Sequence, residues 1–444
     1  MTRSVRFLFA LAFATSGCGP ANVQREPGGS GAPSATSSTG AFAQLNALSR
    51  QAGALKTPLA QYLFYRDHYE HSAGLVRGFV AQVLASTESE LGAYEQALLQ
   101  YPQSAPILRG TIAPLPEPLE FRAVEAADAA ARLASDRRIV MINEAHHDAH
   151  TRVLTLALLP RLRAMGFTHF AAEGISEFDR ELTARGYPTR DTGPYIGEPL
   201  YGEIVRTALR LGFVVVPYEA DANEIERREE GQAQHLLERV FRQDSAARLF
   251  VHGGYAHVHK RGFYLATDTM AMRLRRKSGF DPLVIDQTVL RPGPADREYA
   301  DYRTLVQRFG ITSATLFAPR DGKEAWSLEP GVYDISVVLP PSRRVEGRPD
   351  WLDLGGERIA VAIAIDLQPT SLPCVVEARY AGESDAAIPA DRLLVEHGGG
   401  QIALFLRPGD YRITASNASA HVITTQRLHV DATSAATRAP STTR

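Results

Sequence analysis

Arg138-Ile-Val-Met-Ile-Asn-Glu-Ala-His-His-Asp-Ala-His150 is the stretch on which the reading of this chain turns. Ile139 to Ile142 are four consecutive apolar residues, and a run of that length predicts a strand buried on both faces. Glu144, His146, His147, Asp148 and His150 follow within seven positions. The whole chain has 13 histidines, so three of them in one short loop mark a place where acid–base or ligand chemistry is concentrated.

Outward from this stretch the apolar pattern alternates with helical spacing. Strands are expected at 138–142, 168–173, 213–219, 248–251 and 282–286, and helices at 121–134, 150–165, 202–211, 224–242 and 267–277. Short apolar strands separated by helices require crossover connections, so the fold class is α/β, a mainly parallel sheet with helices on both faces. Residues 174–200 are richer in Gly and Pro and read as an insertion. In such a sheet ligands bind beyond the carboxyl ends of the strands. Every predicted strand ends in an acid or a histidine there: Glu144 and His147, Glu173, Glu219 and Asp221, His252 and His257, and Asp286.

The flanks are of other kinds. Residues 1–18 have Arg3 and Arg6 before an apolar core from Phe7 to Ala14 and then Thr15-Ser-Gly-Cys18. This pattern reads as a bacterial lipoprotein signal with Cys18 as the lipidated residue, an ordinary secretory signal being the alternative. Residues 19–40 have the composition of a disordered linker. Residues 41–119 form a helical cap, from recurrences such as Tyr62, Tyr65 and Tyr69, ending in a Pro-rich connector. The α/β domain covers 120–324. Residues 325–430 show short strands without helices, which predicts a C-terminal antiparallel β-sandwich. Residues 431–444 are expected to be a disordered tail. The implied address is the cell envelope of a bacterium, lipid-anchored at the outer membrane or periplasmic face, with the membrane as a partner through Cys18. The net charge of −2 gives no case for nucleic acid. Two cysteines, Cys18 and Cys374, suggest neither a disulfide framework nor a thiolate zinc site.

Glu144 and His147 stand three apart and share a face if the loop turns helical at once. A histidine–carboxylate pair can take a proton from water, and two Glu with two His can equally hold a divalent metal. His146 alternates with His147 and is expected to face elsewhere, while Asp148 and His150 read as helix-start residues. Glu226 to Glu230 reads as a solvated helix face from which one Arg can reach the cleft. There is no nucleophile elbow at Ser176 and no nucleotide-binding fingerprint.

Ile142-Asn-Glu-Ala-His-His147, Phe170-Ala-Ala-Glu-Gly174 and Val251-His-Gly-Gly-Tyr-Ala-His-Val258 resemble the erythromycin esterase-like superfamily, which also holds the Tiki/TraB proteases and the ChaN haem-uptake lipoproteins. The resemblance covers roughly residues 120–290. By position Glu144 and His147 match its first motif, Glu173 its second and His257 its third. Arg227-Arg-Glu229 and the helix with Met270 and Met272 resemble segments flanking the late loop in the esterase branch. Asn143 departs from the usual Gly, and the loop from His252 to His257 is wider than in the esterases, closer to the Tiki and ChaN forms.

What the resemblance implies differs by branch. The first expectation is a surface-anchored hydrolase of an ester or amide in a small-molecule or peptide substrate. His147 would act as base, Glu144 or Glu173 would orient it, and His257 would serve the oxyanion or act as acid. In a metal-dependent variant Glu144, His147, Glu173 and His257 would be the ligands. The alternative is a binding lipoprotein that holds haem or another small ligand through Tyr255 and His257.

Overall fold

A computed structural model describes residues 35–102, 108–222, 224–322 and 324–431. The signal segment, Cys18, the first part of the linker and the C-terminal tail from 432 on lie outside the described residues. Among those described, no helix is long and apolar enough to cross a membrane.

The chain opens with α1 (Ala35–Gly53), α2 (Pro58–His71), α3 (Gly74–Glu90) and α4 (Tyr94–Gln100). Helix α1 begins inside the segment expected as linker. Helix growth is cooperative once a packed turn exists, and Leu45, Leu48 and Ala52 provide that packing. Thr57 starts α2, its Oγ1 accepting from the Ala60 N–H at 3.0 Å with Pro58 in the first turn. The buried faces of α1 to α3 meet around Leu59, Tyr62, Tyr65, Phe79, Val80 and Leu84, together with Val375 from the C-terminal region. The cap therefore rests on the antiparallel part of the molecule. Thr57 Oγ1 donates to the Ala418 carbonyl at 2.8 Å, and the Tyr62 hydroxyl donates to Glu396 at 3.0 Å.

The expected helix at 121–134 is shorter than its pattern suggested. β1 (Phe121–Glu125) precedes α5 (Ala126–Leu133), because the Glu125 carboxylate turns back to accept from the Ala127 and Asp128 N–H groups and fixes the helix start there. There follow β2 (Ile139–Glu144), α6 (Val153–Ala164), β3 (His169–Ala172), α7 (Leu182–Arg185), α8 (Pro199–Arg210), β4 (Val214–Val216), α9 (Ile225–Leu236), β5 (Leu249–Gly254), α10 (Met270–Ser278), β6 (Leu283–Asp286), α11 (Tyr302–Phe309), β7 (Thr315–Pro319) and β8 (Ile335–Ser336). β1 and β7 form a separate antiparallel ribbon.

Six strands make one parallel sheet in the order β4-β3-β5-β2-β6-β8. Strand alternation divides its side chains between two cores. Val140, Ile142, Phe170, Phe250 and Ile285 join the cluster under α5, α6 and α8, whereas Ile139, Met141, Ala171, Val251 and Val284 join the one under α9 and α10. Covering both faces explains why all six residues of β2 are buried. At ~1.5–3 kcal/mol for each large apolar side chain, these two layers are the main source of the domain's stability.

The segment 331–338 was expected to open the sandwich. Instead β8 pairs in parallel with β6 and closes the edge of the large sheet, so the α/β unit extends past residue 324. Beyond it come β9 (Arg344–Val345), β10 (Arg348–Pro349), β11 (Ile359–Ala362), β12 (Cys374–Tyr380), β13 (Asp391–Val395), β14 (Ala403–Leu406), β15 (Gly409–Asn417) and β16 (Val422–Val430). An antiparallel sheet β13-β12-β15-β16 and the pair β11-β14 enclose a core of Val376, Ala378, Leu404, Leu406, Tyr411 and Ile413. Cys374 is a buried free thiol in β12.

Candidate functional site

The carboxyl end of the large sheet opens on a cavity of about 380 Å³. β2 delivers Glu144 to it and then stops. A tight turn from Ala145 to Asp148, closed by the Asp148 N–H on the Ala145 carbonyl at 2.8 Å, carries His146 and His147 at its corners. In a turn the two-residue alternation of a strand no longer holds, so both histidines line the same cavity.

His146, expected to face away, is the ring at the centre. Its Nδ1 lies 2.6 Å from Glu144 Oε1, and its Nε2 lies 4.0 Å from Glu173 Oε1. Tyr195 stacks on the ring at a centroid distance of 4.1 Å, and Tyr255 meets it edge-on at 5.4 Å. The side chain keeps 17% of its surface exposed, against none for Glu144.

Glu144 pairs with His146 and Arg152, the latter at 2.7 Å, and comes within 3.5 Å of His252; its expected pairing with His147 is not formed. Burial opposes the Glu144 charge, but Arg152 and the hydrogen bonds from His146 and His252 prevail and hold its carboxyl well below the usual range. Arg152 is fully buried between Glu144 and Glu198. Glu198 in turn accepts from the Tyr94 hydroxyl and the Tyr201 N–H.

His147 takes other partners. Its Nδ1 is 2.9 Å from the Tyr255 hydroxyl, its Nε2 is 3.4 Å from an Arg291 nitrogen, and Tyr101 from the cap stacks on it at 3.7 Å. Burial, reinforced by Arg291, pushes its pKa well below that of an ordinary histidine, so the ring is neutral at pH 7. Tyr255 adopts φ +39°, a region a non-glycine residue occupies only when its surroundings enforce it.

Glu173, at the end of β3, accepts from the Gly254 N–H at 2.5 Å and from Arg228 at 2.9 Å, and stands 3.6 Å from His257. Burial raises its pKa, yet His257, His146 and Arg228 together bring it down to about 2. His257 hydrogen-bonds Glu229 through Nδ1, and Arg228 lies 3.3 Å from its Nε2. Burial disfavours its charge, but Glu229 and Glu173 reverse that and raise its pKa. Of the charged run 226–230, Arg228 and Glu229 are buried in the site, while Glu226 and Arg227 remain largely exposed. Asp286 is buried beside Asn143 and Thr288, outside the cavity lining. His150 stacks on Trp351 and is likewise outside it.

The expected tetrad thus divides. Glu173 and His257 are adjacent, Glu144 serves His146, and His147 serves Tyr255. Sequence reasoning missed His146, Tyr195 and the loop after β6 that brings Arg291 and Arg297. A doublet of histidines directly after a strand was the one signal available, since a turn there turns both inward.

Neither cofactor expectation fits this donor set. Among the described residues no group of three or more His, Cys, Asp or Glu side chains is arranged to hold a metal ion. Glu144 and Glu173 are already neutralised by buried guanidinium groups, which would repel a dication. For haem, the Nε2 of His257 is set against Arg228 where iron would sit, and the Tyr255 oxygen is engaged by His147.

No protein-family model matches the chain, and no curated protein matches it. Solved structures give distant matches. A structure described as that of the type III effector HopBA1 is 14% identical, with a TM-score of 0.32, covering 51% of this chain and 99% of that one. A structure described under bacterial protein toxins is 12% identical, with a TM-score of 0.28, covering 56% of this chain and 46% of that one, so less than half of the toxin's length is spanned.

Proposed function

We propose that the protein is a hydrolase in which His146, held by Glu144, takes a proton from water that attacks an ester or amide carbonyl. The observation that carries this reading is the Glu144–His146 pair at 2.6 Å, its ring edge in the cavity and its carboxylate fully buried. A buried carboxylate on Nδ1 fixes the tautomer that leaves Nε2 free to accept, and it stabilises the imidazolium that forms. The superfamily that the sequence resembles includes esterases in which a histidine activates water without a metal. Here the base is assigned to the neighbour of the residue that matches the family motif by position.

Tyr255 is the donor for the developing oxyanion. Arg291 donates to His147 Nε2, so the neutral imidazole carries its proton on Nδ1 and gives it to the Tyr255 oxygen. The Tyr255 hydroxyl hydrogen, which goes to the neighbouring Tyr101 hydroxyl, turns from that partner to a substrate oxygen. Collapse of the tetrahedral intermediate breaks the bond to the leaving group, which takes the proton from His146.

The test is hydrolysis of a panel of nitrophenyl esters and nitroanilides by the full-length protein. Turnover by the wild type that falls at least ~10²-fold in His146→Gln supports the reading, since that is the scale of a lost general base. Turnover that His146→Gln leaves untouched overturns it.

A further inference from the structure

The cavity is electrically lopsided. Its three lining glutamates are each paired, Glu173 with Arg228 at 2.9 Å, Glu198 with Arg152 at 2.9 Å and Glu90 with Arg190 at 3.0 Å. Glu144 and Glu219 stand behind Arg152 and Arg228, so the His146 end has more carboxylates than cations. Arg109 is the reverse case. Among the described residues no carboxylate lies within ion-pair distance of its guanidinium, which donates to the Phe263 carbonyl at 3.1 Å. Glu329 accepts from the backbone N–H groups of Arg109 and Gly110, and burial raises its pKa toward the neutral form.

His259 lines the same cavity and is 4% exposed. Its Nε2 is 2.5 Å from the Tyr333 hydroxyl, which itself accepts from the Asn143 side-chain amide at 3.3 Å. A hydroxyl that accepts from an amide gives its own proton to the next acceptor, so Nε2 accepts and Nδ1 carries the ring's hydrogen. Burial, with Arg109 and His257 nearby, pushes the His259 pKa down to about 3, so the ring is neutral. Its Nδ1 has no hydrogen-bond partner among the described residues. A buried N–H without an acceptor is unfavourable unless a ligand provides one.

We infer that the cavity takes a substrate bearing a carboxylate or phosphate group, seated against the Arg109 guanidinium and the His259 Nδ1–H, with its scissile bond at His146. The substrate class rests on the hydrolase reading; the anion subsite stands on these two side chains. Recognition of a small anion by one guanidinium and one neutral N–H is directional and needs no metal.

The full-length protein is given a matched pair of nitrophenyl esters of equal chain length, one with a free terminal carboxylate and one with its methyl ester. Binding of inorganic phosphate and of succinate is measured separately by calorimetry. The expected result is a preference of ~10-fold or more in kcat/KM for the anionic ester, lost in Arg109→Gln, together with binding of at least one anion that the variant abolishes. Arg109 is exposed, so its replacement leaves the core intact; His259→Phe removes the second donor. Anion binding without hydrolysis of either ester would retain the subsite and overturn the hydrolase reading. Equal hydrolysis of both esters with no anion bound would overturn the subsite and leave the hydrolase reading standing. Silence in every arm would overturn both. Which anion binds separates a phosphate-bearing from a carboxylate-bearing substrate.

Discussion

The Gly254 backbone passes so close to His146 that a Cβ on it would lie 2.5 Å from the ring's Cε1 and 2.7 Å from Glu173 Oε2. The glycine also donates its N–H to Glu173. One position thus sets the height of the proposed base and the direction of its neighbouring carboxylate. Gly254→Ala is expected to displace both by several tenths of an ångström. Its overpacking cost is ~1–3 kcal/mol, and the loss of kcat is expected to exceed what the stability change explains. Thermal melts beside kcat would check this; a variant with full activity removes the argument that the ring is held in place by lack of space.

His146 and His147 are neighbours with different assignments, so they can be told apart. His146→Gln should abolish the basic limb of the mechanism and lower kcat by ~10²–10⁴. His147→Gln should act only through Tyr255, and Tyr255→Phe should reproduce its effect, at ~10- to 10³-fold in kcat with little change in KM. The double variant His147→Gln, Tyr255→Phe is then expected to be no worse than either single change. Additive losses would show that His147 acts on its own account.

How far the sequence disclosed this site can be followed residue by residue. The parallel sheet was legible because β2, β3, β5 and β6 are apolar runs with buried faces on both sides, and the acids at their ends followed from the topology. β1 and β8 were misread because local pattern does not reveal a strand's partner: β1 has helix-forming residues beside it, and β8 follows a change in period yet pairs with β6. The expectation that His146 faces away from the cavity failed for a similar reason. Alternation applies to a strand, and the strand ends at Glu144. Arg109, Arg291 and Arg297 come from loops, where no period exists to betray orientation.

The cap contains an acid out of place. Glu88, 6% exposed near the end of α3, has its pKa raised to about 8 by burial and by Glu396, with Arg66 acting in the opposite direction. A carboxyl whose folded pKa exceeds its unfolded value contributes stability that is present below pH 4.5 and lost as pH rises through about 8. Glu88→Gln should therefore match the wild type near pH 4 and be the more stable protein at pH 8.5. Urea midpoints at the two values decide it, and a variant equally destabilised at both would show that the carboxyl's shape, not its protonation, matters.

Glu173 has the opposite sign. Its folded pKa of about 2 lies below the ordinary 4.5, so its contribution is present above pH 4.5 and fades as pH falls through about 2. Much of that depression comes from His257, His146 and Arg228, and Arg228 also holds Glu219. Arg228→Met would take the guanidinium from two carboxylates, Glu173 almost wholly buried and Glu219 partly so. Removing one partner of a buried pair costs ~3–5 kcal/mol. Because protonating Glu173 relieves its unpaired charge in the variant, the deficit of Arg228→Met should be largest at pH 7 and should shrink toward pH 4, whereas the wild-type contribution of Glu173 fades only below pH 4.5. Denaturation of both proteins at pH 7, 5 and 4 measures this crossing. A deficit independent of pH would mean that the guanidinium acts by packing alone, and that Glu173 is kept ionised by His146 and His257 without it.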